Sequence, residues 1–257
     1  MDRVDQAPAA LQPTLFQRVR GYAVHVYTAS GVGLALLAAM EICAPAPDPR
    51  YCFMLLFAAV FIDATDGFLA RRWHVKTWAA AIDGRTIDDI VDYLTFTFLP
   101  LLLMWRMGWL PDPAALFVIP ALIASLFGFA NRGAKDESAG FFLGFPSYWN
   151  VVAFYAGLFG GKDAALITGL ITLALAVLTV LPVRFLYPNL TPPPWRVIVL
   201  LGALLWSVAL LVLLANYPAG PRWLALLSLS YPAFYTILSF ALSQGTRGSD
   251  AKPLSGT

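Results

Sequence analysis

The chain has 257 residues, of which 59% are hydrophobic and 12% are charged, and its formal net charge is +2 at pH 7. These values, with a mean hydropathy of +0.70, exclude an ordinary soluble domain, and the small net charge without a long basic run excludes a typical nucleic-acid binder. The composition instead predicts an all-α integral membrane protein, because the apolar runs are long enough for helices that cross a bilayer.

The apolar runs predict about eight transmembrane helices in one transmembrane domain, residues 23–243. The fifth of these spans is expected to end near residue 159 and the sixth near residue 186, with a turn at 160–163 between them. A polar, flexible tail is expected at 244–257. The other six spans are predicted at 23–42, 51–70, 82–105, 114–129, 195–214 and 223–243.

The segment before the first span, residues 1–22, is predicted to be a polar tail followed by a short amphipathic helix at the membrane surface. Leu15 and Val19 mark one side of this helix, and Arg18 and Arg20 mark another, as is typical of interfacial helices. An N-terminal extension of the first span is an equally supported alternative.

The basic residues predict the orientation in the membrane. An even number of spans places both termini on one side, and only four of the seventeen basic residues then lie on the other side, namely Arg50, Arg106, Lys162 and Arg222. Because Lys and Arg concentrate in cytoplasmic loops, both termini are predicted to be cytoplasmic.

One stretch, residues 63–92, carries six of the fifteen acidic residues although it lies between apolar runs. Carboxylates beside hydrocarbon are costly, so they mark a candidate functional site. Helical spacing puts Asp63 and Asp66 on one helix face, and Asp88 and Asp92 on another. If these helices pack antiparallel, the four carboxylates converge near the cytoplasmic face and require cations between them. Oxygen ligands favour Mg²⁺, Mn²⁺ or Ca²⁺ over zinc.

The full pattern of this stretch resembles a known family signature. It reads Asp63-x2-Asp66-Gly67-x2-Ala70-Arg71-x12-Gly84-x3-Asp88-x3-Asp92. It is similar to the signature of the CDP-alcohol phosphotransferases, membrane enzymes that transfer a phosphatidyl or similar group from a CDP-linked donor to an alcohol. The spacer before Gly84 is longer than in most of that family, which leaves the shape of this loop open.

The resemblance implies a role for each signature residue. Asp63, Asp66, Asp88 and Asp92 would hold Mn²⁺ or Mg²⁺, as two ions, and Asp92 would also act as the catalytic base. The nucleotide and its phosphates would be bound by the remaining four signature residues, Gly67, Ala70, Arg71 and Gly84.

Structural interpretations exist for some of the same residues. Arg71 alone fits a basic anchor at the membrane interface, and Gly67 and Gly84 fit the small residues that let helices pack closely. Arg85 and Asp89 lie outside the signature and are predicted to form an ordinary i,i+4 ion pair.

Three further stretches, residues 23–31, 142–150 and 181–188, resemble the bacterial branch of the family that condenses CDP-diacylglycerol with choline and releases CMP. This resemblance implies that CDP-diacylglycerol, choline and membrane lipids are partners, and that the protein is a homodimer in the bacterial inner membrane. A sister enzyme that uses serine or another alcohol is an alternative. An ion-coupled transporter with intramembrane acids is a third interpretation.

A quaternary ammonium such as that of choline is bound by aromatic faces, often with a carboxylate nearby. Each candidate for contacts with choline or lipid also has a structural alternative. The aromatic residues fit an interfacial belt, the polar residues fit hydrogen bonds between helices, and the arginine fits an anchor or a phosphate contact. The candidates are His25, Tyr27, Tyr93, Tyr148, Trp149, Asn150 and Arg184.

Overall fold

The computed structural model of the protein describes residues 13–131, 133, 135–136 and 140–250. Three predicted parts lie outside these residues: the polar N-terminal tail, residues 1–10; the first two residues of the predicted interfacial helix, 11–12; and the last seven residues of the predicted C-terminal tail, 251–257. Helices dominate the described residues, which confirms the predicted helical membrane class.

The chain begins with two helices in line, α1 (Leu15–Ala29) and α2 (Gly31–Ile42). Thr14 caps α1 in a capping box with Gln17, in which each side chain accepts a hydrogen bond from the other residue's backbone N–H. The predicted boundary at residue 22 falls inside α1, so the predicted interfacial segment forms the first two turns of that helix. Its position at the membrane surface stays a prediction.

The next helices carry the acidic stretch. Helix α3 (Pro49–Arg72) begins at an Asp48 cap with proline in its first turn, a favourable start for a helix. A short helix α4 (Val75–Trp78) follows, and then α5 (Gly84–Asp92). Helix α5 continues without a break through a π-helical segment (Tyr93–Phe98) into α6 (Leu99–Arg106).

The second half of the chain alternates helices with short strands and 3₁₀ turns. Between α9 and α10 the chain forms the last of three short strands and one 3₁₀ turn. The elements are α7 (Ala115–Ala130), β1 (Lys135–Asp136), β2 (Phe141–Leu143), α8 (Trp149–Leu158), a 3₁₀ turn (Gly161–Ala164), α9 (Ala165–Val180), β3 (Arg184–Leu186), a 3₁₀ turn (Pro188–Leu190), α10 (Trp195–Ala215), α11 (Arg222–Ser228) and α12 (Ser230–Asp250).

Five helical segments of the described residues are long and apolar enough to cross a membrane. Leu205 and Ile237, on the last two of these segments, are 71% and 68% exposed, as expected for side chains that face lipid. Three of the eight predicted spans are helical but are not among these five segments. They are the third span (82–105), the fourth (114–129) and the fifth, which was expected to end near residue 159. The five are Leu15–Ile42, Pro49–Arg72, Gly161–Val180, Trp195–Ala215 and Arg222–Ser243.

One predicted boundary was wrong. The sixth span ends at Val180 and not near residue 186, because Pro182 disfavours helical backbone just before it and the chain continues into β3. The last candidate span ends at Ser243, where the sequence predicts it, and helix α12 itself continues to Asp250.

The largest buried side chains pack where α2, α3, α6 and α8 meet. Phe53, Met104, Trp149 and Phe154 are all less than 2% exposed, and the rings of Phe53 and Phe154 pack edge to face at 5.2 Å. This core joins α3, which carries Asp63, to α6 and α8, which follow Asp88 and Asp92 in the chain.

A three-stranded antiparallel sheet lies at the end of the bundle, in the order β1-β2-β3. Phe141 pairs with Leu186, and Leu143 pairs with Arg184. The sheet was not predicted, because its strands are only two or three residues long and its central pairing joins segments about forty residues apart.

The longer spacer between the two acidic helices forms its own contact with α1. Val24 of α1 is buried with Val75 and Ala79 in a small apolar cluster, and a Cβ atom on Gly21 would lie 2.9 Å from the Cβ of Ala79. The N-terminal half of α1 is therefore held against the loop at the end of α3.

Candidate active site

Three carboxylates from two helices meet at one point. One carboxylate oxygen from each of Asp63, Asp88 and Asp92 lies within 4.8 Å of the other two, and all three side chains are partly buried. Asp63 projects from α3, whereas Asp88 and Asp92 lie one turn apart on α5. The spacing of the sequence motif therefore gives the predicted convergence for these three acids.

Asp66 has a different environment from the other three. It is buried, 8% exposed, and its Oδ2 accepts a hydrogen bond of 2.7 Å from the Thr28 hydroxyl of α1. Asp66 is not part of the group of three, so the structure brings together three of the four acids predicted to converge. The carboxylate of Asp66 is instead held by a contact between helices, the bond from Thr28 of α1.

The three acids form part of the wall of a cleft of about 330 Å³. The rest of the wall comes from α5 and the π-helical segment after it, from α7, from β2 and the loop that follows it, and from the chain after β3, and many of these side chains are aromatic. The aromatic residues of the wall are Phe96, Phe129, Phe142, Phe145, Tyr148 and Tyr187. The cleft thus combines a carboxylate group with an extensive aromatic surface.

Arg85 and Asp89 form the predicted i,i+4 ion pair, with Arg85 Nε 3.6 Å from Asp89 Oδ2. Both residues also line the cleft. The pair lines the same cleft as the three acids and adds no net charge to it.

Asp83 has a capping role at the start of α5. Its carboxylate accepts hydrogen bonds from the Thr86 hydroxyl at 2.8 Å and from the Arg85 backbone N–H at 3.1 Å. These bonds, the Thr86 bond first, lower the pKa of the Asp83 carboxyl below its ordinary value. Asp83 therefore fixes where the acidic helix begins.

Of the four predicted nucleotide-binding residues, Ala70 and Gly84 contact α1, whereas Gly67 and Arg71 lie next to each other on α3. Ala70 packs against the cluster of Val24 and Val75. A Cβ atom on Gly67 would lie 3.4 Å from a guanidinium nitrogen of Arg71, and Arg71 is exposed. A Cβ atom on Gly84 would lie 2.8 Å from Cε1 of His25.

Comparison with protein-family models gives no match, but curated phosphatidylcholine synthases match over most of their length. That of Legionella pneumophila subsp. pneumophila is 35% identical over 237 residues, which are 88% of this chain and 90% of that protein. That of Bradyrhizobium diazoefficiens is 34% identical over 223 residues, 86% of this chain and 81% of that protein. That of Pseudomonas aeruginosa is 38% identical over 183 residues, 70% and 74% respectively.

The chain belongs to the phosphatidylcholine synthase family. Membership confirms the predicted branch of the CDP-alcohol phosphotransferases and makes the chain a transferase of phospholipid synthesis. It does not favour the sister enzyme or the transporter.

In this member of the phosphatidylcholine synthase family, His25 and Tyr27 lie on the α1 face that meets the acidic helices. His25 is 7% exposed, and its Nε2 has no hydrogen-bond partner among the described residues. The Tyr27 hydroxyl is hydrogen-bonded to the Thr65 hydroxyl of α3 at 2.7 Å. The structural interpretation of a bond between helices thus fits Tyr27, whereas His25 has no such bond.

The other predicted choline or lipid contacts differ in position. Tyr148 lines the cleft. Trp149 is fully buried, and its Nε1 donates to Ser125 Oγ at 2.7 Å. Tyr93 donates to the Leu122 carbonyl of α7 at 3.2 Å. Trp149 and Tyr93 therefore already use their polar groups within the protein.

Asn150 and Arg184 complete this set. Asn150 is buried, 3% exposed, and its Oδ1 accepts a hydrogen bond from the backbone N–H of Val151. The guanidinium of Arg184 lies 6.0 Å from the ring centre of Phe141 on the paired strand, at the outer distance for a cation–π contact. Arg184, a residue of β3, thus lies near a ring of the neighbouring strand β2.

Phe142 and Tyr187 were not singled out from the sequence of this phosphatidylcholine synthase family member. Both belong to stretches that resemble the choline-using branch, residues 142–150 and 181–188. This resemblance was the one feature of the sequence that could have indicated a role for them. Their meeting at the cleft depends on the pairing of β2 with β3, and no local pattern indicated that pairing.

Proposed function

We propose that this protein makes phosphatidylcholine by transferring the phosphatidyl group of CDP-diacylglycerol to choline, with release of CMP. The observation that carries the proposal is the convergence of Asp63, Asp88 and Asp92 in a cleft, in a chain 35% identical to a phosphatidylcholine synthase over most of both proteins. The donor and acceptor come from that relative's name and from the family signature.

The donor set of the site suits a divalent cation. Mg²⁺ holds oxygen ligands at about 2.1 Å, so opposite ligands lie about 4.2 Å apart, and the carboxylate oxygens of the three acids lie within 4.8 Å of one another. We assign Mg²⁺ or Mn²⁺ to Asp63, Asp88 and Asp92, with Asp66 as a ligand of the second of two ions. When bound, these ions would offset the charge of the donor pyrophosphate and of the leaving CMP.

Asp92 is assigned as the base. Its carboxylate accepts the proton of the choline hydroxyl while the choline oxygen bonds to the phosphatidyl phosphorus and the bond from that phosphorus to CMP breaks. A carboxylate is a weak base for an alcohol, so proton transfer is expected to be nearly concerted with attack. The proton then passes from Asp92 to water.

The remaining signature residues are assigned to the donor nucleotide. Ala70 and Gly84 are small residues at contacts of α3 and α5 with α1, and Gly67 is a small residue beside Arg71 on α3; their size would leave space beside the acids. Arg71 is exposed beside Gly67, where its planar guanidinium is available to a phosphate.

The membrane arrangement completes the proposal. Residues 23–243 would form a transmembrane catalytic domain of eight spans in the bacterial inner membrane, with both termini and the cleft on the cytoplasmic side. The packing of Gly21 beside Ala79 supports one part of this arrangement, the placement of the N-terminus and the cleft on the same side. It puts the start of the first span at the same end of the bundle as the loop between the acidic helices. A homodimer is proposed from the family resemblance.

The test is a set of parallel reactions with purified protein, CDP-diacylglycerol and Mn²⁺ or Mg²⁺. Choline, serine, glycerol 3-phosphate and inositol phosphate are each supplied alone, and CMP release is measured. Release with choline alone is expected. Release with serine instead would assign a sister enzyme, and cation-dependent uptake into vesicles without any CMP release would favour a transporter.

A further inference from the structure

Four of the six aromatic residues of the cleft wall come from separate parts of the chain. Phe96 follows the acidic helix, Phe142 is on β2, Tyr148 precedes α8, and Tyr187 follows β3. Local sequence spacing cannot bring them together, so the tertiary fold positions each ring. Such a convergence beside carboxylates is a feature that a cationic ligand without hydrogen-bond donors can use.

The first pair of rings is Phe142 and Tyr187. Their centres are 4.4 Å apart, and the rings are nearly parallel, at 19°. The small sheet fixes this stack, because Phe142 pairs with Phe185 of β3 and the backbone N–H of Tyr187 donates to the Gly140 carbonyl at 2.8 Å. The stack is therefore a rigid part of the wall.

The second pair lies closer to the acids. Tyr148 and Phe96 have ring centres 6.2 Å apart, at an angle of 48°. Tyr148 lines the cleft together with Asp63 and Asp92. Its ring is thus part of the wall beside the acids.

The charge of the wall also suits a cation. Among the described residues that line the cleft, Arg85 is the single basic side chain, and it is paired with Asp89. The other charged residues of the lining are the three convergent acids, and the remaining lining residues are uncharged and include six aromatic ones. An alcohol with a positively charged, fully methylated nitrogen matches such a surface, whereas a phosphorylated alcohol does not.

We propose that Phe142, Tyr148 and Tyr187 form the subsite for the trimethylammonium group of the acceptor alcohol. The inference rests on the proposed function and adds the residues that select the acceptor. The hydroxyl end of the same molecule would extend toward Asp92. Phe142 and Tyr187 recognise the methyl groups, so they should discriminate alcohols by the degree of methylation of the nitrogen.

The test uses full-length Phe142→Leu and Tyr187→Leu proteins with CDP-diacylglycerol and a series of acceptors. A cation–π contact in a partly dry site corresponds to a factor of about ten in affinity, so KM for choline is expected to rise about tenfold. KM for CDP-diacylglycerol should stay unchanged. The preference for choline over N,N-dimethylethanolamine, measured as a ratio of kcat/KM, should fall in both variants.

Controls separate recognition from packing. Tyr187→Phe keeps the ring and should retain the choline KM, and Phe61→Leu changes an exposed ring on α3 that is 66% exposed and away from the cleft. Phe142→Met and Tyr187→Met, whose flexible, unbranched side chains fill irregular gaps, replace either Leu variant that fails to fold.

The outcomes distinguish this inference from the proposed function. If the unaltered protein releases CMP with choline but the ring variants keep its choline KM and its preference for methylated acceptors, the subsite is wrong and the function stands. An equal rise of KM for both substrates would also overturn the subsite. Absence of choline-dependent CMP release from the unaltered protein would overturn the function itself.

Discussion

The Thr28 hydroxyl of α1 donates a hydrogen bond of 2.7 Å to Oδ2 of Asp66 on α3. Both residues are buried, at 7% and 8% exposure. The bond joins a helix outside the acidic pair to one of the signature acids, and it thereby orients a carboxylate that lies apart from the other three.

Thr28→Val should therefore reduce activity. The substitution keeps the shape of the side chain but removes the hydroxyl, and hydrogen bonds to charged groups contribute about 1.5–3 kcal/mol, so we expect CMP release to fall by about tenfold or more. Thr28→Ser keeps the hydroxyl and should lose little. Tyr27→Phe, which removes the neighbouring bond to Thr65, is the matched control. Equal rates for Thr28→Val and the unaltered protein would contradict the orienting role.

Asp92→Asn should abolish turnover and leave the binding of CDP-diacylglycerol measurable. The amide cannot accept the hydroxyl proton, and loss of a general base typically costs a factor of about 10²–10⁴. CMP release and equilibrium binding of the donor are measured on the same preparation. Asp89→Asn changes an acid of the same helix that pairs with Arg85 and should have a smaller effect. A normal rate for Asp92→Asn would refute its assignment as base.

Removal of divalent cations should stop the reaction reversibly. Chelation is expected to reduce CMP release to background, and Mn²⁺ or Mg²⁺ should restore it, because three convergent carboxylates repel one another without a cation. Direct binding of Mn²⁺, followed by electron paramagnetic resonance, should weaken in Asp63→Asn and in Asp88→Asn. Full activity in excess chelator would eliminate the metal proposal.

Gly84→Ala should destabilise the protein through a steric clash. The added Cβ atom would lie 2.8 Å from Cε1 and 3.0 Å from Nδ1 of His25, and overpacking typically costs about 1–3 kcal/mol. Thermal unfolding in detergent should therefore show a lower midpoint. In a His25→Ala background the same change should cost little. If both backgrounds lose the same stability, His25 is not what restricts position 84.

The acidic motif was predictable because helical spacing alone determines which side chains share a face. Asp88 and Asp92 follow that rule on α5, and the structure brings them together with Asp63 of α3. The Arg85–Asp89 pair follows it as well. The separation of Asp66 was not predictable, since it depends on a contact with Thr28, thirty-eight positions earlier in the chain.

The aromatic wall was only partly predictable for a related reason. A single sequence shows that residues 141–150 are rich in aromatic residues, but it does not show which rings reach a cleft. Trp149 lies in the core with its N–H bound to Ser125, whereas its neighbour Tyr148 lines the cleft. Tyr187 reaches the wall because β3, the strand just before it, pairs with β2 (Phe141–Leu143). This pairing follows from tertiary structure and not from local propensity.

The wider turns of the π-helical segment after Asp92 set the rotational phase between two parts of one continuous helix. Upstream of the segment the carboxylates point into the cleft, and downstream Leu101, Leu103 and Met104 are completely buried. One residue of an α-helix corresponds to about 100° of rotation. Deletion of a single residue from this segment would thus rotate the acids by about 100° relative to the buried apolar side chains. The two groups could then no longer face the cleft and the core at the same time, although the sequence would still contain all of them.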